Sequence, residues 1–135
     1  MTRPKAPIPK PARPLGGPIP SHMVGLVGMG RFIAFAARSG WHTYESVDGH
    51  APCDYIIDTA DGLFRVEVKR SEETQERSGV RYYYMLTKLD TKKFDWLYYS
   101  TPEGDYFIPA SECAKSVSIV SHARYHNKWE EYRVD

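Results

Sequence analysis

Cysteine is scarce in this chain: there are two, Cys53 and Cys113, among 135 residues. They stand far apart and neither belongs to a C-x-x-C pair, which argues against a disulfide framework and against a thiolate zinc site. Net charge is nearly absent as well, at +1. That excludes a fold gripping nucleic acid through a general excess of Lys and Arg, so any such contact must come from local patches, a metal or a tail. No apolar run reaches the ~18 residues a membrane helix requires. The N-terminus lacks the charged-then-apolar pattern of a signal peptide. Together these absences favour an intracellular, cytoplasmic chain with both thiols reduced.

Acids are missing from residues 1–20, which carry Arg3, Lys5, Lys10 and Arg13 and seven of the ten prolines. The first 20 residues are therefore +4 and the rest of the chain is −3. Such a Pro-rich stretch makes no ladder and buries no core, so it should be an extended, mobile tail, partly polyproline II. It would serve as a solubilising leader or as a weak electrostatic arm for nucleic acid.

Residues 21–135 have the composition of one globular domain, and 13% of the whole chain is aromatic. Ser21 is placed to cap a helix over 22–39 that ends before Gly40. Met29, Phe32, Ile33 and Ala36 recur on one face of it. Gly25, Gly28 and Gly30 weaken its start, and their value lies in close packing. GLVGMG follows no strand and lacks Lys-Ser/Thr, so it is a poor phosphate loop. Beyond Gly40 the pattern is β. WHTYESV (41–47) is a first strand, and DYIIDT and LFRVEVKRS form a hairpin around TADG. EETQERSG has no apolar period and should be a flexible loop. YYYMLT (82–87) and FDWLYYST (94–101) are further strands, the latter with Phe94, Trp96 and Tyr98 on one face. Residues 111–114 suit a helical turn, and the C-terminal HARYHNKWEEYRVD suits a short helix or an irregular tail. One helix ahead of several short strands predicts an α+β fold, with the N-terminal helix packed on a central mixed sheet.

Asp54, Glu67 and Lys69 stand out in the hairpin. A turn centred between Ala60 and Asp61 places Asp54 opposite Glu67, whereas a turn at Asp61-Gly62 places it opposite Lys69. Either register puts all three on one face, because strand side chains alternate. Opposed residues lie about 5 Å apart, which suits two carboxylates gripping one divalent ion beside an ammonium. Mg²⁺ commonly uses one or two carboxylates and keeps several waters. That residue set fits phosphodiester hydrolysis. The plainer reading is a solvated strand face whose ion pairs contribute under about 1 kcal/mol.

Asp54, a twelve-residue gap and then Glu67-Val68-Lys69 resembles the signature of the PD-(D/E)xK nuclease superfamily. Pro52 is separated from Asp54 by Cys53, so the literal Pro-Asp pair is absent. A helix closing on Gly40-Trp41 before the hairpin, followed by FDWLYYS and DYFIPASE, is similar to the branch of group I intron homing endonucleases and Holliday junction resolvases. The likeness spans about residues 23–113. It implies a restriction-endonuclease-like core and a Mg²⁺-dependent DNA endonuclease, with Mn²⁺ able to substitute and branched DNA such as Holliday junctions among its substrates. It implies that Asp54, Glu67 and the Val68 carbonyl are metal ligands, that Lys69 is the catalytic base or charge stabiliser, and that the chain forms a homodimer. Relatives often carry Glu after Gly-x-x-Gly on the first helix. Here Met29 stands there, which leaves the number of metals open, with Glu45 as a substitute acid. Arg70, Arg77 and Arg81 bracket the polar loop as phosphate contacts. His50 is a further site candidate, Tyr82, Tyr83 and Tyr84 are candidates for base stacking, and Trp96 belongs to the core. The competing class is a non-catalytic nucleic-acid-binding or assembly module on the same fold.

Overall fold

A computed structural model of the chain describes residue 7 and residues 9–14, 16–85, 88–114, 117–120 and 128–135. The helix begins differently from the sequence expectation. A 3₁₀ turn, Ser21–Met23, precedes helix α1, Val24–Arg38. The Met23 amide already bonds the Pro20 carbonyl at 2.8 Å, so Ser21 lies inside the turn and does not cap α1. GLVGMG is helical rather than a loop. The C-terminus closes as expected. Gly40 adopts φ +76°, its amide bonds Ala37 O at 3.1 Å, and the Trp41 amide bonds Ala36 O at 3.0 Å. Those two bonds satisfy carbonyls the helix leaves open, and Trp41 then packs edge-on against Phe35 at 5.4 Å.

Among the described residues eight strands follow: β1 His42–Tyr44, β2 Tyr55–Thr59, β3 Gly62–Arg70, β4 Thr74–Arg77, β5 Val80–Tyr83, β6 Trp96–Thr101, β7 Gly104–Pro109 and β8 Ile119–Val120. Five form a mixed sheet in the order β1-β2-β3-β6-β7, in which β3 and β6 run parallel and every other pair is antiparallel. The other three form a small sheet, β4-β5-β8. One helix on a mixed central sheet is the α+β architecture the sequence predicts. Residues 86–87 of the expected strand and 122–127 of the C-terminal segment lie outside the described residues. The helical turn near 111 is present as Ala110–Glu112, and Glu130–Tyr132 forms another. Among the described residues no helix is long and apolar enough to cross a membrane.

The central sheet separates two cores. On one face α1 packs Phe32 and Ala36 against Tyr55, Ile57, Val66, Tyr98 and Phe107. Trp96 lies in this layer as expected, stacked on Phe107 at 4.6 Å. On the other face Leu97, Tyr99 and Ile108 meet Tyr83, Phe94 and Ile119. Phe94 thus sits opposite Trp96 and Tyr98 rather than beside them. The alternation does not extend back to it, because β6 starts at Trp96 and Asp95 is pinned to Arg65 through both its amide, at 2.9 Å, and its carboxylate. Ile33 also departs from its expected place: it is 45% exposed, and the buried stripe runs Gly28, Phe32, Ala36. Gly28 lies so close to β3 that a Cβ there would sit 3.0 Å from Arg70 Cβ. Gly25 and Gly30 face open space. EETQERSG is not a loop. It supplies β4 and a tight turn in which Ser78 and Gly79 both take positive φ, 50° and 80°. That geometry matches the twist of a two-residue hairpin.

Candidate active site

The hairpin decides between the two registers. Thr59 pairs Gly62 and Tyr55 pairs Val66, so the turn lies at Ala60-Asp61. Gly62 absorbs the bend at φ +120°, and the Thr59 hydroxyl donates to Gly62 O at 2.9 Å. One residue further, Asp54 comes alongside Glu67. The ladder ends there. The Asp54 amide bonds Val66 O at 3.0 Å, while the Val68 amide donates to Asp54 Oδ2 at 2.8 Å. That last bond fixes the Asp54 carboxylate over β3.

Lys69 Nζ stands 3.4 Å from Glu67 Oε1. The Glu67 side chain is 17% exposed and that of Lys69 29%. Burial, then the Asp54 charge, push the Glu67 carboxyl above its ordinary value, and Lys69 offsets part of that shift. The Asp54 and Glu67 carboxyls are close enough to hydrogen-bond when one carries a proton. Val68, between Glu67 and Lys69, turns the other way and packs in the α1 layer. Glu67 and Lys69 open onto a cleft of about 200 Å³ that Lys88, Asp90 and Lys93 also line. Lys88 and Lys93 were not singled out from the sequence, although KLDTKK is a visible basic cluster. Their arrival at Glu67 depends on how the segment before β6 folds back.

Two carboxylates forced together suit a hard, oxygen-liganded cation such as Mg²⁺, which needs no more than one or two carboxylates from the protein. Among the described residues no group of three or more His, Cys, Asp or Glu side chains comes together. Glu45 is exposed beyond β1, where its charge acts on Tyr55, and it does not complete a three-acid set with Asp54 and Glu67. Met29 is half-buried against the Phe32 layer. His50 lies in an exposed turn, with its amide on Asp48 Oδ1 at 3.0 Å.

The three arginines are not brought together. Arg70 lies beneath α1 with its side chain 7% exposed, held by Glu72 Oε1 and Ser100 Oγ, each at 2.6 Å. Arg77 and Arg81 are exposed on the β4–β5 ribbon. Arg81 reaches Thr74 Oγ1 at 3.1 Å and Glu76 at 4.0 Å. Tyr83 is buried, while Tyr82 and Tyr84 line a groove on the outer face of the small sheet. Both cysteines are free; burial raises the Cys53 thiol and pushes Cys113 up to about 11, which keeps both protonated at neutral pH.

Among solved structures the chain is similar to a bacterial homing endonuclease, I-Ssp6803I, with a TM-score of 0.66 and 19% identity over 84% of this chain and 87% of that one. At that identity the likeness is one of fold. It carries the helix and mixed sheet through nearly the whole of both chains. No protein-family model and no curated protein matches the sequence.

Proposed function

We propose that the chain is a Mg²⁺-dependent endodeoxyribonuclease, with Mn²⁺ able to substitute. The observation that carries this reading is the Asp54–Glu67 carboxylate pair with the Lys69 ammonium 3.4 Å from Glu67. Asp54 and Glu67 would hold the cation, with the Val68 carbonyl as a further oxygen. When bound, the cation lowers the pKa of water and stabilises charge on a phosphoryl oxygen. Lys69 sits at the same point to orient the attacking water and offset the charge that builds on the phosphate. Lys88 and Lys93 draw the phosphodiester into the cleft. The fold shared with a homing endonuclease and the Asp54…Glu67-Val68-Lys69 pattern support DNA as the polymer. The resemblance to the nuclease superfamily supports a homodimer with two sites acting on two strands, and light scattering tests that assembly.

A non-catalytic DNA-binding module on this fold is the second reading, favoured by Met29 where relatives place an acid. One experiment separates the two. Supercoiled plasmid, single-stranded DNA and a four-way junction are incubated with Mg²⁺, with Mn²⁺ and with chelator. Cleavage of any of them that needs the cation and is lost in a folded Glu67→Ala variant supports the nuclease. Binding without cleavage in every condition supports the module.

A further inference from the structure

The β4–β5 ribbon has no part in the proposed chemistry, yet it is built to meet something. Among the described residues the third strand β8 pairs Tyr82 and Tyr83, and beyond them β4 and β5 form a two-stranded ribbon. Its inner face is anchored by Tyr83 in the core. Its outer face lines a groove of about 520 Å³, with Gln75 and Arg77 from β4 and Val80 and Tyr82 from β5. The registers set Gln75 across from Tyr82 and Arg77 across from Val80. Gln75 and Arg77 are exposed, and among the described residues Arg77 has no ion-pair partner. Two of the nearby acids are already engaged, Glu72 with Arg70 and Glu76 with Arg81.

We infer that this ribbon enters the major groove of duplex DNA and reads base edges with Gln75 and Arg77. The inference rests on the DNA-directed function proposed above. A two-stranded β-ribbon fits the roughly 12 Å width of the B-form major groove. Gln presents a donor and an acceptor that match adenine, and the Arg fork matches guanine O6 and N7. Val80 supplies an apolar contact for a thymine methyl. Same-face residues two apart on a strand are separated by about 6.8 Å, which is close to two base steps of about 3.4 Å each.

The ribbon is also tied to the candidate active site. β4 begins five residues after Lys69 on the same stretch of chain. The Ser71 hydroxyl bonds Tyr84 O at 2.5 Å and the Tyr99 hydroxyl at 2.6 Å, and its amide bonds Ser100 O at 3.0 Å. Those bonds join both legs of the ribbon to the central sheet. Eight residues span at most about 27 Å, so Arg77 reads within about eight base pairs of the phosphate at Lys69.

The test is selection from a library of random duplexes with the full-length protein in chelator, followed by sequencing of the bound fraction. The expected result is a short motif with one preferred A·T and one preferred G·C position, within about two base steps of each other. Gln75→Ala should erase the first preference and Arg77→Ala the second, each by roughly 5- to 150-fold in discrimination, with unchanged melting temperature. Arg77→Lys keeps the charge and loses the fork, so it should bind with retained affinity and a relaxed G·C position. Three results overturn the inference: no duplex binding, a motif the variants leave intact, or stronger binding of single strands than of duplex. Plasmid nicking is read separately. A ribbon-dependent motif without nicking removes the nuclease and keeps the reader; nicking with a motif that ignores the ribbon does the reverse.

Discussion

The Asp54 carboxylate accepts the Val68 amide at 2.8 Å, which holds it beside Glu67 on the strand that also carries Lys69. An acceptor is therefore needed at position 54 for the ladder to end where it does, apart from any role in chemistry.

Catalysis should separate from folding at that position. Asp54→Asn keeps an oxygen for the Val68 amide and removes the charge. Asp54→Asn, Glu67→Ala and Lys69→Ala should each lower Mg²⁺-dependent plasmid nicking at least about 100-fold, the scale of a positioned catalytic group. Their circular dichroism should match wild type. Full nicking by folded Glu67→Ala returns these residues to a solvated strand face.

Stability should respond to pH and to metal through Glu67. Burial and the Asp54 charge raise its carboxyl above the ordinary 4.5. A carboxyl raised in the folded state binds its proton more tightly there. It costs stability above the raised value, and that cost disappears as pH falls through it towards the ordinary one. Metal-free Glu67→Gln should therefore melt higher than wild type at neutral pH and level with it at about pH 4, below the ordinary glutamate value. In wild type, Mn²⁺ should stabilise by about 1.4 kcal/mol at roughly nine times its Kd. Glu67→Gln should lose most of that response. Calorimetry showing equal metal responses in both proteins would count against the carboxylate pair as the metal site.

Two glycines of one helix should answer in opposite directions. A side chain at Gly28 meets Arg70 Cβ at 3.0 Å and Val68 Cγ1 at 3.6 Å, whereas one at Gly30 meets open space. Gly28→Val should destabilise by about 1–3 kcal/mol through overpacking. Gly30→Ala should stabilise by about 0.5–1 kcal/mol through helix propensity. Urea midpoints compare them directly, and a stable Gly28→Val would mean that α1 does not press on β3.

Asp105 joins the middle of α1, through Arg31, to the sheet. It is 1% exposed and accepts Arg31 Nε at 2.6 Å, the Tyr98 hydroxyl at 2.5 Å and the Ser100 hydroxyl at 2.7 Å. Asp105→Ala takes that acceptor from the buried Tyr98 and Ser100 hydroxyls, while Arg31, half-exposed, keeps its ion pair with Asp135 at 3.3 Å. It should cost about 3 kcal/mol, a drop in melting temperature of about 10 °C for a domain of this size. A loss under about 1 kcal/mol would show a pair worth no more than an exposed one.

What could be read from the sequence was local. Gly40 ends the helix because only a residue at ease with positive φ closes that turn. Period-two alternation alone puts Asp54, Glu67 and Lys69 on one face, whichever register holds. The Ser78-Gly79 turn is equally local, but the polar residues around it give its ribbon no apolar period. The remainder was decided by contacts between distant segments. The register depended on the whole β2–β3 ladder, not on the turn residues alone. Arg70 and Arg77 look alike in the sequence; one is clamped by Glu72 and Ser100 under α1 and the other stands exposed on a ribbon. Gly28 rather than Ile33 faces inward because β3 presses against that side of the helix. Lys88 comes to line the same cleft as Glu67 only because the chain folds back ahead of β6. Local preferences act over a few bonds, whereas burial and charge pairing depend on which segments the fold brings together.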